Sequence, residues 1–308
     1  MAARILVIRG GAIGDFVLTL PAIGLLRENF PAARIEVLGY KHIVTLALRT
    51  GFADAVRSIE YARLAGFFAP GSELSPDLVE YFAGFHQIIS YLHDPDRFFE
   101  GNLRRCRVKN LLVGPGKLDD SEHAASQLAR PLQQLALYAE KCSAALEINA
   151  EDREIARQLL AETARPIVAI HPGSGSERKN WPVQNWIAIA LRIIERTESG
   201  SILLVGGEAD RGDLRAMREA LPPGRVVIAN SLPLWELAAV LAECDVFLGH
   251  DSGVSHIAGA AGVRSLLLFG PTDPAVWAPA NPSVEVLKAP GGDMAALSVE
   301  VVWEKFAG

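Results

Sequence analysis

Asp251, Ser252, Gly253 and His256 stand together in the stretch VFLGHDSGVSHIAGAAGVRSLLLFGPTDP, Val246 to Pro274. An apolar run ends at Gly249-His250, and the polar trio follows. The next residues suit a helix, and a second apolar run occupies Ser265 to Phe269. The polar residues therefore sit at the carboxyl end of a strand and at the start of a helix. Open α/β sheets bind ligands at that end of their strands. The first N–H groups of a helix lack partners within it and carry partial positive charge, which suits a phosphate. Ser252 and His256 are four apart and share a helix face. Taken singly, Asp251 reads equally well as a helix cap, and His256 reads first as a packed histidine.

A second group is His171-Pro172-Gly173-Ser174-Gly175-Ser176, again after an apolar strand. Arg178-Lys179-Asn180-Trp181-Pro182 then leads into a helix expected over Val183 to Glu195. Ser174 and Gly175 offer a hydroxyl and open backbone N–H groups to an anion. Lys179 adds a compact positive charge. A solvated polar loop with Trp181 as a packing anchor accounts for the same residues equally well. Glu208, after Val205-Gly206-Gly207, is a carboxylate able to accept from both hydroxyls of a ribose. It also suits the start of the following helix.

A third group opens the chain, where Gly10-Gly11-Ala12-Ile13-Gly14-Asp15 follows the first strand. Gly10, Gly11 and Gly14 permit tight turning and close backbone approach. A helix is expected from Phe16 to Asn29, with Val17, Leu20, Ile23 and Leu26 at helical spacing and Pro21 in its early turns. Asp15 stands just before it, where an isolated Asp is ordinarily an N-cap. The other role open to it is general base, since a helix N-terminus favours a carboxylate anion that can take a sugar hydroxyl proton. The loop is not G-x-G-x-x-G, and no clear acidic residue closes the second strand, which disfavours a nicotinamide cofactor.

These groups need strands to hold them. Apolar runs lie near Arg4–Ile8, Arg34–Leu38, Val56–Ile59, Gln87–Ser90 and Asn110–Val113. A second set lies near Ile167–Ile170, Ser201–Val205, Arg225–Ile228, Asp245–Leu248 and Ser265–Phe269. Runs without polar alternation suit strands buried on both faces, hence parallel sheets covered by helices. Their alternation with helical patterns predicts two doubly wound α/β units. The stretch from Ser121 to Thr163 separates them, placing the boundary within Ala150–Arg165. The expected units are residues 1–155 and 156–308.

The chain has 308 residues, half of them hydrophobic, with a formal charge of −6. That length supports two cores, and the acidic balance disfavours nucleic acid as a partner. Cys106, Cys142 and Cys244 are scattered and form no metal or disulfide pattern, which suits a reducing cytoplasm. MAARILVIRGG lacks the features of a signal peptide, and no apolar run approaches the roughly 20 residues of a membrane span.

The ordered set G-G-x-I-G-D with Thr19-Leu20-Pro21, H-P-G-S-G with K-N-W-P, G-G-E, and D-S-G-V-S-H with F-G-P-T-D-P resembles glycosyltransferase family 9, the heptosyltransferases of lipopolysaccharide inner-core synthesis. The resemblance runs from Ile5 to about Trp277. It implies a GT-B fold, two Rossmann-like domains facing across a cleft, with the acceptor in the first and the nucleotide sugar in the second. The C-terminal segment is expected to pack back on the first domain. It also implies inverting transfer without a metal or cofactor, typically from ADP-heptose. Asp15 would be the general base, Ser174, Gly175 and Lys179 would hold the diphosphate, and Glu208 the ribose. Asp251, Ser252, Gly253 and His256 would line the donor pocket. The AVWAP after GPTDP departs from the family's frequent second Gly-Pro, and Tyr61 to Phe85 matches no heptosyltransferase acceptor site.

Acceptor candidates at the carboxyl ends of the first unit's strands are Tyr40, Lys41, His93 and Asp94. Arg97, Arg104, Arg105, Arg107 and Lys109 form a basic cluster that suits an anionic acceptor, a lipid surface or simply a solvated face. The expected location is the cytoplasm, with a peripheral position at the inner face of the membrane as its extension. Two other classes fit the same scaffold: a nucleotide-sugar epimerase or hydrolase, and a silent sugar-nucleotide binding protein. The first needs further acid/base groups beyond Asp15, and the second needs none.

Overall fold

The computed structural model describes residues 2–308. The chain divides into two compact units, Met1–Cys142 and Ser143–Gly308. In the first, β1 (Arg4–Arg9), β2 (Arg34–Gly39), β3 (Ala55–Ser58), β4 (Gln87–Ser90) and β5 (Leu111–Val113) form one sheet in the order β3-β2-β1-β4-β5. Every pairing is parallel, with Ile8 opposite both Leu38 and Ser90. β1 is buried after its first residue, as expected of a central strand covered on both faces. Leu6, Ile8 and Ile88 pack with Phe67, Phe82, Phe99 and Leu103 into one apolar core.

The second unit contains β6 (Ile167–Ile170), β7 (Ser201–Gly206), β8 (Val226–Asn230), β9 (Val246–His250), β10 (Ser265–Phe269) and β11 (Val284–Lys288). Its order is β11-β10-β9-β6-β7-β8, again wholly parallel. Read from the other edge this is the Rossmann order 3-2-1-4-5-6. The strand order therefore reverses between β1 and β4 in one unit and between β6 and β9 in the other. At such a point the helices after the two central strands diverge to opposite faces, leaving a crevice at the carboxyl ends. β11 was not anticipated. Its VEVLK is half-buried at the sheet edge and carries Glu285 and Lys288, so it lacks a buried strand's apolar run.

Two expectations are corrected. The helix from Phe16 to Asn29 is two helices, Ile13–Val17 and Leu20–Asn29. Between them Thr19 N bonds Phe16 O, and the Thr19 hydroxyl donates to Asp15 O at 2.8 Å, which closes the first helix early. The boundary falls at Cys142/Ser143 rather than at 155/156. Leu146 N bonds Ala260 O, Asn281 Nδ2 donates to Ala144 O at 2.8 Å, and helix Ala150–Leu159 packs on helix Leu234–Ala242. Helix Val299–Ala307 lies on helix Val183–Arg196, with Val302 in the second unit's core and Arg192 paired to Glu300 at 2.6 Å.

Candidate functional site

In the second unit the residues singled out from the sequence meet at the reversal between β6 and β9. His171 follows β6, and Asp251-Ser252 follows β9. Ser252 is the N-cap of helix Gly253–Ala260, and its Oγ accepts from Ser255 N at 3.3 Å. The first-turn N–H groups of that helix face no partner within it, which leaves them to a ligand. Lys179 ends the short turn Glu177–Lys179, and its Nζ lies 2.6 Å from Asp251 Oδ2. The Thr272 hydroxyl donates to the same oxygen at 2.7 Å. Asp251 is therefore no helix cap. It anchors Lys179 beside the helix N-terminus, and the ammonium retains further N–H donors.

Ser174 serves its own loop, with Oγ 2.6 Å from Asn180 Oδ1 and 2.8 Å from Ser176 O. Gly175 is exposed beside it. His256 is buried within its helix, as its bland reading holds. Glu208 is turned to solvent, 84 % exposed, and pairs with Arg211 at 3.1 Å. The carboxylate that enters the site is Asp210, two residues on. Asp210 Oδ2 accepts from Gly207 N at 2.8 Å and lies 3.4 Å from His171 Nε2. Gly173 makes room for it, since a Cβ there would lie 1.7 Å from Asp210 Oδ1. Burial alone would raise Asp210, but the His171 and Gly207 hydrogen bonds outweigh it and hold the carboxyl below its ordinary value. The sequence signal for Asp210 was its place at the carboxyl end of β7, where Glu208 drew the attention instead.

His250 lies beneath this surface, fully buried. Trp181 N donates to its Nε2 at 2.8 Å, and its Nδ1 faces Gly173 O at 3.2 Å. These partners fix the neutral Nδ1–H form. Burial pushes the imidazole down to about 3, with His171 acting in the same direction. The Trp186 ring stands edge-on to it at 5.1 Å. His250 thus ties the 173–181 loop to β9 and does not face a ligand.

In the first unit, Asp15 sits inside the first turn of helix Ile13–Val17 and is not its N-cap. Its Oδ2 accepts from Ala12 N at 2.9 Å, and its Oδ1 lies 3.4 Å from Arg9 Nη2. Gly11, at φ 100°, turns the chain so that this carboxylate folds back over the loop. Gly10 lies in the turn, and Gly14 lies within helix Ile13–Val17. Arg9 is buried and also donates to Tyr91 O at 3.2 Å. Burial pushes its guanidinium below the ordinary value, opposed by Asp15. The Asp15 side chain remains about one-third exposed, so it can receive a proton from a solvent-side group.

The acceptor candidates separate. Tyr40 and Lys41 are exposed at the start of the short helix Lys41–Val44. His93 lines a cavity of about 480 Å³ with Arg97, Glu100 and Arg104. Asp94 lines the same cavity, and its carboxylate accepts from Phe99 N at 3.2 Å and Glu100 N at 2.8 Å at the start of helix Phe98–Arg105. The basic cluster is an exposed face with part of its charge paired. Arg97 and Arg104 both fork onto Glu100, at 2.8 and 2.7 Å, and Arg105 donates to Asn102 Oδ1 at 2.7 Å. Arg107 and Lys109 lie beyond that helix. Among the described residues no cluster of His, Cys, Asp and Glu side chains is arranged to hold a metal ion. Nor is any helix among them long and apolar enough to cross a membrane.

Residues 122–305, more than half of the chain, match the family model "Glycosyltransferase family 9 (heptosyltransferase)". The chain is 27% identical to lipooligosaccharide heptosyltransferase 2 of Haemophilus influenzae over 154 residues, 47% of this chain and 44% of that protein. It thus spans less than half the length of that relative. With lipopolysaccharide heptosyltransferase 3 of Escherichia coli it shares 24% identity over 86% of this chain and 83% of the relative. The fold superposes on a family 9 glycosyl transferase from Veillonella parvula with TM-score 0.81 at 19% identity, covering 99% and 96% of the two chains. For the E. coli ADP-heptose heptosyltransferase II the TM-score is 0.75 at 18% identity, covering 99% and 97%. These likenesses identify the fold class as GT-B, with its two Rossmann-like sheets.

Proposed function

The chain belongs to glycosyltransferase family 9 (heptosyltransferase), and from that premise we propose that it transfers a heptose from ADP-heptose, with inversion and without a metal, to a saccharide or lipid-linked acceptor such as a lipopolysaccharide inner core. The observation that carries the reading is the grouping of Lys179, Asp251, Thr272 and the Ser252-capped helix N-terminus at the reversal between β6 and β9. It joins a cation to open backbone N–H groups, the combination a diphosphate requires. A solved neighbour, an E. coli heptosyltransferase, was crystallised with ADP, which favours adenine as the base of the donor.

In this mechanism Asp15 takes the proton of the acceptor hydroxyl as its oxygen attacks the anomeric carbon opposite the diphosphate. The carbon–oxygen bond to the diphosphate breaks, and negative charge grows on the departing group. Lys179 and the N–H groups of helix Gly253–Ala260 stabilise that charge. One preorganised donor of this kind contributes about 3 kcal/mol to the transition state. Gly175 leaves the 173–181 loop open toward the phosphates, and Glu208 turns toward the ribose once a donor is bound. Acceptor recognition falls to the first unit, with Tyr40, Lys41 and His93 as its contacts. The enzyme works in the cytoplasm, at the inner membrane face when the acceptor is lipid-linked.

A thermal-shift series with ADP, GDP, UDP, CDP and dTDP tests the donor. A ligand bound only by the native state raises the melting temperature. ADP is expected to stabilise selectively. A preference for UDP would remove the ADP-heptose assignment and leave the fold untouched.

A further inference from the structure

His171 lies between two partners that the donor reading leaves unused. Its Nε2 faces Asp210 Oδ2 at 3.4 Å, and its Nδ1 faces Ser252 Oγ at 3.2 Å. All three side chains are buried or nearly so. For a neutral His171 ring the hydrogen bonds run in one direction. Asp210 already accepts from Gly207 N at 2.8 Å, and an ionised carboxylate only accepts. His171 must then carry its proton on Nε2, which leaves Nδ1 bare. The Ser252 hydroxyl donates to Nδ1, while its oxygen accepts from Ser255 N at 3.3 Å. The Ser255 hydroxyl donates to His250 O, and its oxygen, 3.1 Å from Ser252 Oγ, is a second inward acceptor for the Ser252 proton. In the ligand-free protein the Ser252 proton is thus turned inward, away from the phosphate position.

We propose that Asp210 and His171 are positioning residues that reset Ser252 when the diphosphate arrives. One proton enters from solvent and binds His171 Nδ1. The imidazolium then donates to both Asp210 and Ser252 Oγ, and the Ser252 hydroxyl proton is released toward a phosphate oxygen. No bond of the donor is broken in this step. The site gains one positive charge and one hydroxyl donor at the helix N-terminus that receives the phosphate.

The surroundings favour His171 as the group that takes the proton. Beside it at the end of β9 lies His250, which feels the charges of His171, Asp251 and Asp210. His250 has both ring nitrogens engaged by Trp181 N and Gly173 O, so its Nε2 is closed to a proton. Asp251 is matched by Lys179 and Thr272. Asp210 supplies negative charge to the ring, and Gly173 allows it that position.

This inference rests on the second unit binding a nucleoside diphosphate, and the test separates the two. Nitrogen-15 NMR of labelled imidazoles reads which His171 nitrogen carries hydrogen, with ADP as the probe and binding followed by calorimetry. The free protein should show the Nε2–H form, and saturation with ADP should add a proton at Nδ1. In Asp210→Asn the amide oxygen still accepts from Gly207 N but carries no charge. The second proton should not appear there, and ADP should bind about tenfold more weakly. A proton on Nδ1 in the free protein, or ring signals unmoved while ADP binds, would overturn the resetting step alone. Wild-type protein that binds no ADP would overturn the donor assignment as well.

Discussion

Lys179 Nζ and Asp251 Oδ2 lie 2.6 Å apart, so the loop after β6 is fastened to the end of β9 through the charge that the ligand needs. The carboxylate positions the ammonium and at the same time offsets part of its charge. Lys179→Met should lower the transfer rate about a hundredfold, as loss of one preorganised charge donor does. Steady-state kinetics with calorimetric ADP binding check this. A rate within a few-fold of wild type would show that the lysine is only a structural fastening.

Asp15→Asn removes the base while keeping an oxygen for Ala12 N. Transfer should fall by orders of magnitude, and ADP affinity should stay unchanged because the proposed nucleotide contacts lie in the other unit. Full retained transfer would end the general-base assignment.

His250 gives the fold a pH dependence of known sign. Its folded-state value is depressed to about 3 from an ordinary 6.5. Between these values the unfolded chain binds the extra proton, so stability is fully present above pH 6.5 and declines as pH falls toward 3. Urea midpoints measured across that window should decline less steeply in His250→Gln than in wild type, though the variant is less stable at pH 7. Equal slopes would contradict the buried neutral imidazole.

Glu100 acts in a lower window. The forked contacts from Arg97, opposed by burial and joined by Arg104, bring its carboxyl down to about 2 from 4.5. Its contribution is fully present above pH 4.5 and is lost as pH falls through about 2. The difference in stability between wild type and Glu100→Gln should therefore shrink over that interval, as read by denaturant titration.

Gly173→Ala tests the close approach directly. The added methyl must displace Asp210, which would break its contact with His171. Circular dichroism should show an intact fold, while ADP affinity falls about as far as in Asp210→Asn. Undiminished binding would mean that the carboxylate has another place to go.

Much of the fold was legible because parallel strands buried on both faces must be apolar throughout, and LVI-rich runs mark them. β11 was not, since an edge strand has no such requirement and VEVLK reads like a loop. The break at Leu18-Thr19 was hidden because apolar spacing continues through it. A hydroxyl bonded to Asp15 O ends the helix, and no period reports that. In the site, Lys179, Asp251 and Ser252 were found by their place after strands. Asp210 was not, because spacing alone does not say which of two carboxylates a short turn directs inward.

Arg9 lends Asp15 a second duty. The guanidinium is buried, and its Nε finds no partner among the described residues. Asp15 is its neighbouring carboxylate, and charge buried without an opposite is strongly disfavoured. Enzymes commonly hold their reactive groups at the expense of stability, so that deleting one makes the fold firmer. Here the reverse is built in. A lineage that drifted away from transfer by losing Asp15 would also inherit a weakened first unit, and would have to change Arg9 before it could settle into a non-catalytic role.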